Sequence, residues 1–447
     1  MTGTAPTPHD ALVERYGTPL YVYDLDEVAA ARAELLDALP DGAVLYYALK
    51  ANPHPDVART LRGDDGRCRA EISSTGELHA ALDAGFDPAH CLYTGPGKTT
   101  TEIGHALDLG VRTFSTDSVG DVRRVGRAAA ARRVTAACVL RVNAVNTDTG
   151  GATTGIRMTG RPSQFGFDAE SLPDALPELR RVEGVRLTGL HFFPLSNAKD
   201  EENLVAEFRH TVAAAVRLAD DLDLPLELLD LGGGFAAPYG TPGTRDSYPA
   251  LRGELEAMLD AALPRWRTGS PVIAFESGRY LTACAGTLLL GVTNVKTGRG
   301  RTHVILDGGI NVFGGMSGLG RLLPTHVEPA ATTAPADAPT APARLVGPLC
   351  TPGDVLSRDL PVPALRDDDV VTVPNTGAYG PTASLLAFLG RPAPAEVALR
   401  GPDIVSATRI DYRRVPLEAA GAPDTAGAPD TAGAPTPAGR TAEEPTP

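Results

Sequence analysis

The chain has 447 residues, a formal net charge of −14 and 43% hydrophobic residues. The acidic balance argues against nucleic acid or an anionic membrane surface as a partner, because both would repel the protein. No apolar run reaches the roughly 18 residues that a membrane span needs, and the amino-terminal residues lack the apolar centre of a signal peptide. Five cysteines without paired spacing fit a reducing compartment, so we expect a cytoplasmic protein.

Between residues 40 and 280, short β-branched or aromatic segments alternate with helical segments rich in alanine and leucine. The predicted strands are AVLYYALK, RAEIS, HCLYTG, RTFSTD, TAACVLRVN, RLTGLHFF, LELLDLGGG and PVIAFES. Alternation of strands with helices indicates βαβ units and a parallel sheet. Eight such units predict an α/β fold with an amino-terminal (β/α)8, TIM-like barrel, and a doubly wound sheet is the alternative.

After residue 285 the helical segments become sparse, and we predict a carboxy-terminal all-β domain, built as a sandwich or barrel. The AGAPDT repeats near the carboxyl end have almost nothing to bury, which predicts disorder. We therefore divide the chain into an amino-terminal segment that partly pairs with the β domain (1–24), the barrel (25–282), the β domain (283–415) with an Ala/Pro-rich surface loop inserted at 328–343, and a low-complexity tail (416–447).

Lys50 closes the first apolar strand of the predicted barrel. Chemistry in such barrels collects at the carboxyl ends of the strands. Desolvation there should lower the pKa of the lysine and favour its neutral amine, which can form a Schiff base. A lysine at the rim of the barrel with its amine in solvent is the simpler alternative.

Two further strand ends carry groups that suit a phosphorylated cofactor. One has the glycines Gly232, Gly233 and Gly234, whose backbone amides can approach a phosphate closely, although a tight turn would also explain them. The other has Glu276, which could keep a pyridinium nitrogen protonated, and Arg279, which could bind phosphate; an ordinary surface ion pair is the alternative. Together with the lysine, these groups describe a pyridoxal phosphate (PLP) site.

The motifs also form an ordered series along the chain. The series is YALKANPHP, EISSTGEL, LDLGGGF, ESGR, DGGIN, GPLC and GAYGPTAS. In this order the chain resembles the fold-type III PLP-dependent decarboxylases, the family of diaminopimelate and ornithine decarboxylases, over roughly residues 15 to 415. The resemblance implies an amino-terminal barrel, a carboxy-terminal β domain and a homodimer with shared active sites.

The resemblance also implies roles for matching residues. Lys50 would hold PLP covalently, and Glu276 would pair with its pyridine nitrogen. The phosphate would be held by Ser196, Gly232, Gly233, Gly234, Arg279 and Tyr379. Cys350 would come from the partner subunit and protonate the carbanion left by carbon dioxide, and Asp354 would help to shape the substrate pocket from the same side. No metal is expected.

Two positions depart from the family pattern. Phe193 stands where the family usually has a histidine that stacks on the pyridine ring; phenylalanine can stack but cannot donate a hydrogen bond. The preceding His191 is interpreted as structural. Thr351 replaces the acid that reads the distal amine of the substrate, so lysine biosynthesis and recognition of a simple diamino acid are disfavoured unless Asp354 supplies the charge.

The segment GGMSGLGRLLP (Gly314 to Pro324) resembles family members of specialised metabolism, some of which act on amino acids tethered to carrier proteins. Arg321 within it could bind a substrate carboxylate or simply face solvent. The leading hypothesis is PLP-dependent decarboxylation of an amino acid in a specialised biosynthetic pathway. The alternatives are decarboxylation of a carrier-tethered aminoacyl substrate, a racemase, and a non-catalytic PLP-binding homologue. The presence of Lys50 and Cys350 disfavours the last two.

Overall fold

The computed structural model of the chain describes residues 8–143, 156–157, 162–314 and 326–416. Its described residues up to Asp411 belong to one compact unit. Residues 412–416, which begin a second unit, carry no helix or strand. The account of the fold below concerns the first unit.

Twelve strands lie in the amino-terminal part of this unit. In chain order they are β1 (Leu20–Asp24), β2 (Val44–Ala48), β3 (Cys68–Ile72), β4 (Leu92–Tyr93), β5 (Thr113–Thr116), β6 (Ala136–Asn143), β7 (Ile156–Arg157), β8 (Phe167–Asp168), β9 (Val185–Phe192), β10 (Leu195–Ser196), β11 (Leu228–Asp230) and β12 (Val272–Ser277). The short β7 and β10 pair with each other. Each of the eight segments predicted as barrel strands overlaps one of the strands β2–β6, β9, β11 and β12.

Eight of these strands form a closed parallel barrel. The order is β5-β4-β3-β2-β12-β11-β9-β6, and the sheet closes because β5 also pairs with β6. The short β8 adds to β6 outside this ring. A doubly wound sheet would have open edges, so closure confirms the predicted TIM-like barrel.

Helices connect the strands and cover the outside of the barrel. They are α1 (Pro8–Tyr16), α2 (Leu25–Ala38), α3 (Pro55–Arg62), α4 (Thr75–Asp83), α5 (Thr100–Asp108), α6 (Val119–Ala131), α7 (Leu172–Leu179), α8 (Glu201–Asp221), α9 (Leu251–Ala262) and α10 (Arg279–Thr282). Side chains of Asp24, Ser74, Ser118 and Asp200 accept hydrogen bonds from amides of the first helical turn, each contributing about 1 kcal/mol. None of the helices in the described ranges is long and apolar enough to cross a membrane.

Strand β2 shows why the barrel strands read as continuous apolar runs. All five of its residues are buried, because side chains fill the inside of a parallel barrel and helices cover the outside. Val44 and Tyr46 pack with Leu92, Val139 and Ala274 from other strands, whereas the alternate residues of β2 join the large cluster shared with the helices. Packing on both faces therefore holds the strand in position, and with it the carboxyl end of the strand, where the candidate site lies.

The carboxy-terminal strands build a second, mixed sheet. They are β13 (Gly286–Gly298), β14 (Arg301–Leu306), β15 (Ala331–Thr332), β16 (Thr340–Val346), β17 (Val355–Pro363), β18 (Val370–Val373), β19 (Ala395–Arg400) and β20 (Asp403–Arg409). Strand β1 joins this sheet between β13, to which it is antiparallel, and β19, to which it is parallel. The sheet therefore combines the two ends of the unit, and helix α2 leads from it into the barrel.

The Ala/Pro-rich segment 328–343 is more ordered than predicted. Residues Ala331–Thr332 pair with β18, and the segment runs into β16, which pairs with β14 and β17. The prediction of a surface loop is therefore wrong for these strands. Pro342 is tolerated because pairing of β16 with β14 starts only at Ala343, so the missing amide of the proline lies on an open edge.

Candidate active site

The carboxyl ends of the barrel strands open into a cleft that collects most of the predicted cofactor-binding residues. Its lining includes Lys50, Phe193, Ser196, Gly234, Glu276, Arg279 and Tyr379. Tyr379 belongs to the loop after β18, whereas the other six follow barrel strands. The fold therefore brings residues from distant parts of the chain to one place.

Lys50 lies on a 3-10 turn, Leu49–Ala51, that directly follows β2. Its side chain is 40% exposed, and its Nζ lies 2.6 Å from Oε2 of the buried Glu71 at the end of β3. Burial lowers the pKa of Lys50, but the carboxylates of Glu71 and Glu276 outweigh burial and raise it above its ordinary value. The predicted lowering of this pKa is therefore wrong, because the sequence interpretation did not include Glu71.

Glu276, at the end of β12, is buried beside a histidine and a second carboxyl group. Its Oε1 lies 3.1 Å from Nε2 of His191 on β9. Nδ1 of His191 lies 2.7 Å from Oγ of Ser115. One ligand atom from each of His191, Asp230 and Glu276 lies within 4.8 Å of the others. The three groups form one buried cluster at the ends of β9, β11 and β12.

The charges of this cluster follow from the proximity of its members. Burial raises the pKa of Glu276, but His191 and other nearby cationic groups together have a larger effect in the opposite direction, so the pKa is lowered overall. Burial lowers the pKa of His191, yet the carboxylates of Glu276 and Asp230 raise it overall. Burial and the neighbouring Glu276 raise the pKa of Asp230 to about 7. The pairing therefore favours the anion of Glu276 and the cation of His191.

The guanidinium group of Arg279 lies between two aromatic rings on the opposite side of the cleft. Its Cζ is 5.1 Å from the ring centre of Tyr239 and 4.9 Å from that of Tyr379. Nε of Arg279 is buried and has no hydrogen-bond partner among the described residues. A buried, unpaired guanidinium N–H suits an anionic ligand such as phosphate.

Tyr379 has a positive φ of 52°, which is costly for an aromatic residue and is often found at functional sites. Its N–H donates to the carbonyl oxygen of Ala51 at 2.7 Å, and its own carbonyl accepts from the hydroxyl of Tyr239 at 2.9 Å. The turn that carries Lys50 is therefore bonded directly to Tyr379.

The three glycines of the LDLGGGF motif differ in position. Gly234, with φ of +120°, lines the cleft. A Cβ at Gly232 would lie 2.3 Å from the carbonyl oxygen of Phe192, and one at Gly233 would lie 2.4 Å from that of Glu276. Gly232 and Gly233 therefore let the loop pack against neighbouring strands, and they are not among the residues that line the cleft.

Phe193 follows the last residue of β9 and lies on the same side as His191, two residues earlier. It lines the cleft with Lys50 and Glu276. Cζ of Arg141 lies 5.8 Å from the centre of the Phe193 ring, a distance at which a cation is attracted to an aromatic face. Phe193 is therefore at the cofactor side of the barrel, with a positive charge near its ring.

The predicted residues of the GPLC segment are not among those that line this cleft. Cys350 is exposed, and Thr351 accepts a hydrogen bond at its Oγ1 from the amide of Gly353 at 3.3 Å. The involvement of Cys350 and Thr351 in the active site remains a prediction. Arg321 lies outside the described residues.

Asp354 has a different role from the one predicted. Its side chain is buried, and its two carboxylate oxygens accept hydrogen bonds from the amides of Ile310 at 2.8 Å and Leu349 at 2.7 Å. The carboxylate is therefore occupied by the backbone and is not presented to a substrate amine. The prediction of a direct substrate contact does not fit this arrangement. Asp354 instead ties the segment that precedes Cys350 to the DGGIN turn.

The residues of the cleft fit PLP on three independent features. Glu276 offers a buried carboxylate that lines the cleft. Arg279 offers an unpaired N–H, and Lys50 reaches the cleft with its amine. These groups match the pyridine nitrogen, the phosphate and the aldehyde of the cofactor, respectively.

Comparison with known proteins agrees with this fit. The family profile described as "Pyridoxal-dependent decarboxylase, pyridoxal binding domain" matches residues 25–283. The chain is 30% identical over 394 residues to L-glutamyl-[BtrI acyl-carrier protein] decarboxylase of Niallia circulans, covering 87% of this chain and 90% of that protein. It is 29% identical over 401 residues to diaminopimelate decarboxylase of Zymomonas mobilis, covering 88% and 90%.

Solved structures extend the similarity of the fold across both domains. The structure of diaminopimelate decarboxylase from Helicobacter pylori complexed with L-lysine has a TM-score of 0.72 and 24% identity, and the match covers 91% of this chain and 97% of that one. The family profile spans more than half of the chain. On these grounds the chain belongs to the fold-type III family of PLP-dependent amino-acid decarboxylases.

Proposed function

We propose that the cleft around Lys50 is the PLP site and that each lining residue has a separate task. Lys50 holds the cofactor by its aldehyde carbon, Glu276 pairs with the pyridine nitrogen, and Phe193 stacks against the ring. Ser196, Gly234, Arg279 and Tyr379 hold the phosphate, with Gly232 and Gly233 shaping the loop beneath it. The observation that carries this proposal is the convergence of Lys50, Glu276 and Arg279 on one cleft.

The protein residues then orient the reaction and control its protons. When bound, PLP supplies an electron sink for the electron pair left when the bond to the α-carboxylate breaks and carbon dioxide departs. Glu276, whose ionised form is favoured by His191, would keep a proton on the ring nitrogen of the bound cofactor. Lys50 would supply the amine that holds the aldehyde carbon of the cofactor. Glu71 lies 2.6 Å from Nζ of Lys50 and can accept a hydrogen bond from it.

We further propose a cytoplasmic homodimer in which the partner subunit's Cys350 completes the site. Its thiol would give a proton to the α-carbon after decarboxylation. The exposure of Cys350 supports this assignment, since a group offered to a second subunit must reach the surface of its own. Asp354 holds the segment before Cys350 in place. A thiol at this position favours decarboxylation over racemisation, which needs a second base on the opposite face.

The substrate is proposed to be an amino acid of a specialised biosynthetic pathway whose side chain is not read by an acidic residue at position 351. Thr351 carries no charge, and the carboxylate of Asp354 is occupied by amides of Ile310 and Leu349. Neither residue can form the ion pair that a free distal ammonium group requires. Diaminopimelate and ornithine are therefore disfavoured.

A carrier-tethered aminoacyl substrate is the second candidate. Its support is the similarity over 394 residues to a decarboxylase whose name specifies a glutamyl group on an acyl-carrier protein. Tethering through the side-chain carboxyl group converts that group into a neutral thioester, which needs no charged partner at Thr351. This candidate retains the same roles for the cofactor site.

The test is carbon dioxide release from a panel of D- and L-amino acids offered free and, for those with a side-chain carboxyl group, also as the carrier-protein thioester of that group, which leaves the α-carboxylate free to depart. We expect release from at least one member and little from diaminopimelate or ornithine. Preference for thioesters would select the second candidate, and preference for a free amino acid the first. Release from diaminopimelate that exceeds all other members would contradict the substrate proposal. Absence of bound PLP in the purified protein would contradict the site.

A further inference from the structure

A second pocket lies behind the turn that carries Lys50, and we call it the rear pocket. Its lining includes Tyr23, Asn52, His54, Pro381, Glu396 and Arg409. The cavity volume is about 270 Å³, close to the lower end of typical small-molecule sites, roughly 300 Å³. The rear pocket shares no lining residue with the cleft around Lys50.

Glu396 is the buried acid of this pocket. It lies on β19 and is only 6% exposed. Its Oε1 accepts a hydrogen bond from the hydroxyl of Tyr23 at 2.9 Å. Within the described residues, Oε2 forms no hydrogen bond and Glu396 forms no ion pair. Oε2 is not one of the fully buried, unpartnered atoms of these residues, so it is open to the pocket and available to a ligand.

The other polar groups of the pocket leave this acid without a counter-charge. Burial lowers the pKa of His54, and its Nδ1 accepts from the amide of Asp56 at 3.3 Å, so this imidazole is neutral. Burial likewise raises the pKa of Tyr23, which stays a neutral phenol. Arg409 is exposed and forms no recorded ion pair with Glu396 in the described parts of the chain.

Aromatic side chains surround the acid but offer little surface to a ligand. The rings of Tyr23 and His54 lie 5.3 Å apart between centres, and both residues line the rear pocket with Pro381. Tyr23 is only 1% exposed and His54 6%, so recognition of a ligand depends mainly on the acid. An ionised carboxyl group pairs with an ammonium ion through charge-assisted hydrogen bonds.

We propose that the rear pocket binds a small organic ammonium ion, with the carboxylate of Glu396 as its counter-charge. The proposal does not depend on the roles assigned to the cleft, because no residue is shared. Amine products of decarboxylation belong to this chemical class, as do many other cellular amines.

The pocket lies against the segments that carry Lys50 and Tyr379, so a bound ligand could affect the active site. Asn52, which lines the pocket, follows Lys50 by two residues, and its Nδ2 donates to the carbonyl oxygen of Gly377 at 2.8 Å. The amide of Tyr379 donates to Ala51 from the same loop. An ammonium ion in the rear pocket would therefore contact the rear of the segments that present Lys50 and Tyr379.

The test uses a tertiary amine, N,N-dimethylethylamine hydrochloride, with the PLP-loaded enzyme in isothermal titration calorimetry. A tertiary amine cannot condense with the cofactor aldehyde, so its binding is independent of the chemistry in the cleft. We expect saturable binding to one site per chain. Glu396→Gln, which keeps the side-chain shape and an acceptor for Tyr23, should weaken binding about tenfold or more. Uncharged N,N-dimethylacetamide should not bind.

The matched control is Glu170→Gln, which removes the charge of an exposed glutamate and should leave the affinity unchanged. Equal affinity in wild type and Glu396→Gln, or no saturable binding in wild type, would overturn the proposal. If Glu396→Gln fails to fold, the presence or absence of saturable binding to the wild type still tests the proposal. Binding of the ammonium ion should release protons near neutral pH as Glu396 ionises, and titrations in buffers of different ionisation enthalpy would reveal this. Binding without proton release would contradict the assigned counter-charge.

Discussion

Nε2 of His191 lies 3.1 Å from Oε1 of Glu276, and the two side chains are only 1% and 3% exposed. His191 on β9 thus favours the ionised form of Glu276 on β12, although β11 lies between the two strands, and solvent contributes little at this buried site. The sequence predicts only a structural role for His191. In the structure, His191 lowers the pKa of Glu276, the carboxylate proposed to hold the cofactor nitrogen.

His191→Gln removes this cation and leaves Glu276 and Asp230 as two close buried carboxyl groups. One of them should then retain a proton, because adjacent like charges disfavour ionisation of both. We expect PLP affinity to fall about tenfold and kcat about 10- to 100-fold. Absorbance titration with PLP measures the first effect. The absorbance of the bound cofactor should also become pH-dependent near neutrality.

Ser115→Ala is the matched control, because it removes the hydrogen bond at Nδ1 of His191 while leaving the imidazole next to Glu276. It should have a smaller effect than His191→Gln on affinity and on the pH response. Equal effects of the two variants, or no effect of His191→Gln, would mean that the charge of His191 does not maintain Glu276.

Lys50→Ala should abolish covalent attachment of PLP. The wild-type enzyme should lose its cofactor absorbance band and gain a stable label on treatment with borohydride, and mass spectrometry should locate that label at Lys50. Lys199→Ala, at an exposed lysine, serves as the control and should retain the label. A borohydride-stable label in Lys50→Ala would place the attachment elsewhere.

Phe193→His introduces the residue that the family usually carries against the pyridine ring. Both rings can stack, so the variant should still bind PLP. The imidazole adds a hydrogen-bond donor next to Arg141, whose Cζ lies 5.8 Å from the present ring. We expect a shifted cofactor absorbance and a change in kcat of about threefold to tenfold. Spectra and turnover identical to wild type would show that Phe193 does not contact the cofactor.

Lys98→Met should destabilise the barrel. Nζ of Lys98 lies 2.8 Å from Oδ2 of Asp121 and 3.8 Å from Oδ2 of Asp117, and its side chain is 1% exposed. Removal of the cation leaves the buried Asp117 without an ion-pair partner among the described residues and Asp121 with only Arg124, 3.7 Å away, which should cost about 3–5 kcal/mol in the free energy of unfolding. Arg132→Met, which breaks an exposed pair with Asp108, should cost less than about 1 kcal/mol. Urea unfolding of the two variants provides the comparison, and similar losses would contradict the prediction.

Glu396→Gln should stabilise the protein more at high pH than at low pH. Burial raises the pKa of Glu396 to about 7, above its unfolded value, so the folded state favours the protonated form. The stabilisation of the folded wild type by this bound proton is fully present below the unfolded pKa of Glu396. It is lost as the pH rises through the folded pKa. From pH 5 to pH 8, the stability of the variant relative to wild type should rise by about 2–3 kcal/mol. A constant difference in urea unfolding would contradict the shifted pKa.

The barrel was predictable because its strands carry a strong local pattern. Segments such as Val44–Ala48 are apolar on both faces, which distinguishes strands of a covered parallel sheet from half-exposed ones. Much of the second sheet lacked that pattern. The strands Thr340–Val346, Val355–Pro363 and Ala395–Arg400 contain proline, alanine and charged residues, and their pairing depends on partners that are distant in sequence. Such pairing is not encoded in a local window.

Residues proposed to bind the cofactor were predictable where a reactive side chain lies at the end of a strand, as at Lys50 and Glu276. Their partners were not, because Glu71, His191 and Asp230 act through neighbours on other strands. A signal for Glu71 and Asp230 was present: each is an acid within an otherwise apolar strand, and buried acids are rare unless paired. Asp354 shows the reverse case, since only the structure shows that backbone amides already occupy its carboxylate.

The bond between Asn52 and Gly377 joins residues that are 325 positions apart in sequence. The turn with the attachment lysine therefore reaches its final setting only after a loop near the end of the chain has been synthesised and has docked. A ribosome-bound chain that has completed the barrel, but not residue 377, lacks this bond and the arginine-stacking ring of Tyr379. Capture of the cofactor should thus be a late event in biogenesis, and incomplete chains should be released without it.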